Sequence, residues 1–205
     1  MTGNEVSAGT KARPAPKPSA ARDRILATAQ RLFYGTGIRS VGVDRVIAES
    51  EVARMTFFRH FPTKDDLVVA FLTGQVERAR VELARVREAA GADWPRAVLD
   101  WVAAGVVTEP AAEGFRGCEF INTAAEFYDP SHPVRVVAAQ HRAWIRDLMQ
   151  EALTELGHPH PRSTAEILMM LRTGAVVAAS LEGLQGLEDR DGEFRRTWGA
   201  LIDQR

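Results

Sequence analysis

The chain has 205 residues, 45% hydrophobic and 26% charged, with a formal net charge of −1, enough for one domain or a small domain joined to a larger one. No apolar run approaches the roughly 18 residues of a membrane span and no signal-peptide core opens the chain, so export and a membrane partner are not expected and a cytoplasmic location is. A single cysteine, Cys118, excludes an intrachain disulfide and fits a reducing compartment.

Residues 1–20 are rich in Gly, Pro, Ala and Ser, with Lys11, Arg13 and Lys17 set among the prolines. Such a segment buries too little apolar surface to order itself, and reads as a disordered basic arm, either a plain tail or one that reaches nucleic acid. A first helix is predicted over about 22–34, where Ile25, Leu26, Ala29, Leu32 and Phe33 recur at helical spacing before Gly35 and Gly37. A second, Val43 to Ser50, buries Val43, Val46 and Ile47, and Glu51-Val52 form a turn. The third, Arg54 to His60, is about 10 Å long by its rise, polar at its tip and backed by Val52, Phe57 and Phe61. Two short helices joined by a tight turn, the second polar-tipped, have the form that enters a DNA major groove.

Pro62-Thr63 breaks the chain, and Thr63 is placed to cap a helix with Asp65 and Asp66 in its first turn. That helix is predicted to run from Lys64 to about Ala90 through Leu67, Val68, Phe71, Leu72, Val76 and Leu83, a lever of roughly 40 Å. It begins where the charge changes sign. Residues 1–64 hold 11 Lys/Arg against 5 Asp/Glu, a balance of +6, and residues 65–205 hold 15 against 22, a balance of −7. The basic front attracts phosphate and the acidic remainder does not. Further helices are predicted near 95–108, 117–128, 133–156, 163–186 and 191–204, separated by Pro/Gly breaks. Nothing alternates at period two, so the expected fold class is all-α: a three-helix head with a helix-turn-helix (21–64) and a larger helical bundle (65–205).

The run from Ile25 through the helix pair to FFRHFPTKDDLV resembles the TetR/AcrR family of bacterial transcriptional regulators, over about residues 22–72. The later segment GCEFINTAAEFYDPSHPVRVVAAQH is similar to one branch of that family. The resemblance implies a head that binds double-stranded operator DNA, a bundle that binds a small-molecule effector and dimerises, and repression as the default. It puts Arg54, Met55 and Thr56 against base edges and phosphates, with Phe58 where a phosphate-bonding tyrosine is usual. His60 and Lys64 match backbone-contacting positions, and Arg39, Val43, Arg45 and Arg59 complete the expected DNA-facing set. Besides Phe58, two further departures stand out: Glu51 replaces the usual turn glycine, and Ala53 replaces a Ser or Thr cap whose loss costs about 1 kcal/mol.

Arg54 can read a guanine edge or hold a phosphate; Phe57 and Phe61 are expected in the core. One recognition helix reads few base pairs, so a homodimer on a two-fold operator is expected, with half-sites about 34 Å apart or a multiple of that. Its surface is expected from the last two helices, because Ile167 to Leu184 is apolar on more than one face.

The bundle is expected to enclose an apolar pocket that includes Trp101, Phe115 and Trp144, with Cys118, Asn122, Glu126 and His141 as polar candidates. The long fourth helix would carry the response to the head. No cofactor is expected. Cys118 with His141 lacks an oxyanion signature, and His158-Pro-His160 lacks a third metal ligand nearby, so an enzyme is not expected. Two alternatives stay open: a sensor that uses Cys118 for redox chemistry, and a ligand-binding or scaffold dimer whose operator binding has weakened through Glu51, Ala53 and Phe58.

Overall fold

The computed structural model describes residues 19–108 and 115–204, and the side chains of all of these except 107, 108 and 183–191. The basic arm, apart from its last two residues, lies outside the described residues. Those described are all helical in their regular structure, with no strand among them.

The head is built from α1 (Ala20–Thr36), α2 (Val43–Ser50) and α3 (Arg54–His60). Gly37, at φ +87°, takes over after α1, and its N–H donates to the Phe33 carbonyl. α2 and α3 are held by buried Val46 and Phe57, which share one core with Ile25, Ala29, Leu32 and Phe33 of α1. α4 (Lys64–Ala90) starts on a capping box: the Thr63 hydroxyl accepts from the Asp66 N–H, and the Asp66 carboxylate accepts from the Thr63 N–H.

α4 belongs to both halves. Leu67, Val68, Phe71, Leu72 and Val76 complete the head core, which also takes in Phe120, Val134 and Ala138 from farther along the chain. Leu83, two turns on, lies in the second core. That core is made with α5 (Trp94–Thr108), α7 (Pro133–Glu155) and α8 (Pro161–Ile202), through Leu99, Val102, Met149, Leu153, Leu168 and Trp198. The short α6 (Glu119–Ala125) packs on α7, at the junction of the two cores.

The last segment differs from its predicted form. Instead of helices at 163–186 and 191–204, helical backbone continues from Pro161 to Ile202. A straight helix of 42 residues would be about 63 Å long. Yet His158, just before it, lies 2.9 Å from the Leu201 carbonyl. The helical segment therefore folds back on itself, and Phe194, Trp198 and Ile202 return to the core that Leu168 and Met169 enter. The His158 Nδ1 accepts from the His160 N–H, so Nε2 carries the proton and donates to Leu201; this histidine fixes the fold-back.

The apolar run in this segment also differs from its predicted form. The stretch Pro161–Glu182 is long and apolar enough, by length and composition, to cross a membrane, contrary to the expectation that no run comes near. Its composition comes from two apolar faces. Ala165, Leu168, Met169, Val176 and Ala179 are buried in the bundle, while Ile167, Met170, Val177 and Leu181 are exposed.

Candidate nucleic-acid interface and bundle cavities

The basic side chains of the helix pair lie on the head's outer surface. Arg39, Arg45, Arg54 and Arg59 are exposed, Met55 is 81% exposed, and Thr56, Val43 and His60 are half-buried. Phe57 and Phe61 are buried beneath them, as expected. Arg54 pairs with Asp44 across the turn and sits 5.4 Å from the centre of the Phe58 ring. Both ends of that ion pair are mostly exposed, so it is worth ~1 kcal/mol at most and readily exchanges Asp44 for another anion. Phe58, 36% exposed, packs edge-on against Phe57 and presents its outer face beside Arg54. Glu49 is shared by Arg45 and Arg31, and these hydrogen bonds hold its carboxyl below the usual range. His60 Nε2 lies 3.4 Å from the Ser19 hydroxyl, where the N-terminal segment joins the head.

Lys64 is half-buried. Its Nζ donates to the Ile38 carbonyl at 2.6 Å, and burial pulls its pKa down, with Glu126 and Asp65 opposing. This bond ties the start of α4 to the turn between α1 and α2.

Glu126 and Asn122, expected in the pocket, lie at the joint between bundle and head. The Ile38 and Arg39 N–H groups donate to the two Glu126 carboxylate oxygens at 2.8 and 2.7 Å, so the end of α6 clamps the turn between α1 and α2. The Asn122 amide donates to the Arg116 carbonyl at 2.6 Å. Arg116 in turn donates to the Tyr34 and Gly35 carbonyls, and its own N–H donates to the Tyr34 hydroxyl at 2.9 Å. These groups surround a small cavity of about 150 Å³ between head and bundle. Local spacing gave no sign of this joint, because its partners are more than 80 residues apart.

Two larger cavities lie in the bundle, of about 320 and 530 Å³, and both are lined by Phe120, His141, Ile145 and Arg172. Cys118 lines the smaller and Trp101 the larger. Phe115 packs against the bundle core. Trp144 lies outward, beside a groove between α4 and α7, with Arg80 stacked on its ring at 5.7 Å. His141 stacks on Phe120 at 3.8 Å, and burial, followed by Arg172 and Arg80, lowers its pKa to about 4. Arg172 was missed from the sequence, although an arginine inside the apolar run LMMLRTGAVV was the available signal.

Residues 25–71 match the sequence profile of bacterial regulatory proteins of the tetR family. No curated protein matches the chain. A solved TetR-family transcriptional regulator from Streptomyces coelicolor is 36% identical, with a TM-score of 0.77 over 89% of this chain and 94% of that one. A putative TetR transcriptional regulator from Streptomyces avermitilis (23% identity, TM-score 0.73, 90% and 97% covered) and reduced NemR of E. coli (20%, 0.72, 87% and 96%) share the fold. With a helix-turn-helix head on a helical bundle and this identity over nearly its whole length, the chain belongs to the TetR family of DNA-binding transcriptional regulators, which are not enzymes.

Proposed function

We propose that this regulator is a cytoplasmic, homodimeric repressor that a small-molecule effector releases from its operator. Residues 21–64 read the DNA, and residues 65–205 bind the effector and dimerise. Arg54, Met55, Thr56 and Phe58 meet the major groove, and Arg39, Val43, Arg45, Arg59 and His60 meet its phosphate edges. Lys64 contributes charge from the framework.

The observation that carries release by a ligand is the position of α6. Its first turns wall the bundle cavities through Phe120 and Ile121, and its end holds the head through Glu126. A ligand that moves α6 moves the clamp on the α1–α2 turn. For this to change operator affinity, the ligand must bind the two arrangements differently. The exposed row Ile167, Met170, Val177 and Leu181 supports dimerisation, since these residues recur along one face of the helix. A second copy covering this row also accounts for the apolar run without a membrane.

A gel-shift titration with the DNA upstream of the chain's own gene tests operator binding. Saturable, salt-sensitive binding to one site is expected; equal affinity for random DNA of the same length overturns it. Arg54→Ala is expected to weaken specific binding by roughly 1–3 kcal/mol, more than non-specific binding. Equal losses on both would make Arg54 a phosphate contact.

A further inference from the structure

Arg172, half-buried, lies on the core-facing side of α8. The buried residues Ala165, Leu168, Met169, Val176 and Ala179 recur along one face of α8, and Arg172 falls in that row. His141 does the same on α7, in the row of Ala138, Ile145, Leu148 and Ala152. An apolar side chain would fill either position with no electrostatic penalty.

Both side chains line the cavity of about 320 Å³ between α6, α7 and α8. The Arg172 Nε and the His141 Nδ1 are buried without a hydrogen-bond partner. Arg135 and Arg142, on the same wall, donate to the Phe127 carbonyl at 3.1 Å and the Thr173 hydroxyl at 2.8 Å and add positive charge to it. Among the described residues no Asp or Glu lines this cavity. Glu82 and Glu119 lie on the neighbouring one, where Glu119 accepts from the Gln75 amide at 2.7 Å. The rest of the smaller cavity is largely apolar, including Phe120, Ile121, Ala138, Ile145 and Met169. A hydrocarbon wall, a guanidinium on a core-facing row and no carboxylate on the cavity's own lining define a site for a compact molecule that is apolar over most of its surface and negative at one end.

We infer that this cavity binds a small organic carboxylate, aromatic or branched-chain, whose carboxylate accepts hydrogen bonds from Arg172 and from the His141 ring. Its hydrocarbon lies against Phe120, Ile145 and Met169. The inference rests on the bundle being the effector-binding half and names the class of effector. His141, neutral at pH 7, donates one N–H, and Arg172 supplies the positive charge. Burial keeps the imidazole neutral, with the field of Arg172 and Arg80 adding to it; an anion between the two offsets that field, so binding raises the pKa of His141.

The test is calorimetric titration of the full chain with benzoate, 2-naphthoate and isovalerate, and with 2-naphthamide as the matched neutral probe. At least one carboxylate is expected to bind saturably, and naphthoate at least tenfold more tightly than its amide. Arg172→Gln, with its fold checked by circular dichroism, removes that discrimination, and Arg172→Lys keeps part of it. In the unmodified chain, the His141 NMR titration midpoint moves upward when the carboxylate is bound, a readout that needs no variant. Failure of all three carboxylates to bind overturns the inference. So does an amide that binds as tightly as the acid, or discrimination that survives Arg172→Gln. Operator release is scored separately by gel shift: a carboxylate that binds through Arg172 without loosening DNA upholds this site and overturns only the ligand-released repressor.

Discussion

Glu51 lies at φ +54°, ψ +43°, in the left-handed region that a side chain enters at a cost of about 1–2 kcal/mol. It follows α2 at the position where the turn of the helix pair needs that conformation, and its carboxylate adds negative charge to the basic head. Glu51→Gly removes the strain and the charge, while the unfolded glycine gains chain entropy. The net expectation is a stabilisation of about 0.5–1 kcal/mol, a rise of a few degrees in Tm, together with tighter operator binding. A lower Tm would mean that the Glu51 side chain makes a contact worth more than the strain. Ala53, at the start of α3, gives no side-chain cap, as its identity implied. His141 makes a prediction in pH. Its folded pKa, about 4, lies below the ordinary 6.5, so the unfolded chain binds more protons between these values. The contribution of His141 to stability is therefore present above pH 6.5 and is lost as pH falls towards 4. From pH 7 to pH 5 the loss is about 2 kcal/mol, and urea titrations of the chain and of His141→Gln should differ by that amount in their pH dependence.

Among the described α-helices of the bundle half, α6 is the shortest, and it touches both halves. It has only seven residues, Glu119–Ala125, and yet meets the cavities at one end and the head at the other. Glu126→Ala leaves the Ile38 N–H, which belongs to a buried residue, without its acceptor, whereas the exposed Arg39 N–H can turn to water. The expected loss is about 2 kcal/mol, or roughly 4–8 °C in Tm. The change in operator affinity on ligand binding should shrink more than ligand binding itself, by gel shift and calorimetry together. An unchanged response would show that coupling runs through α4 alone. The bounds of α2, α3 and α4 were legible in the sequence because their signals are local: the Thr63 cap with Asp66, the Pro62 break and the spacing of Leu67, Phe71 and Val76. The joint between α6 and the head was not, because nothing near Glu126 in sequence says that its carboxylate meets backbone N–H groups 87 and 88 residues away.

Across the whole molecule, α8 carries an exposed apolar row that a second copy of the chain would cover. Met170 is 61% and Leu181 80% exposed. Leu181→Glu is expected to shift the chain from dimer to monomer in light scattering after gel filtration, and to weaken operator binding more than tenfold because one head reads only one half-site. A variant that stays dimeric would move the interface elsewhere. By itself, the sequence determined an all-α fold class, a basic head before an acidic bundle, and the helix-turn-helix with its departures at Glu51, Ala53 and Phe58, because periodicity, caps and charge are written within a few residues of where they act. The tertiary structure alone decided that Pro161–Ile202 folds back onto His158, that Lys64 and Glu126 brace the head, and that Arg172 turns into a cavity beside His141. These depend on which faces meet once the helices pack, and pairings across so many residues leave no mark in the local spacing of the chain.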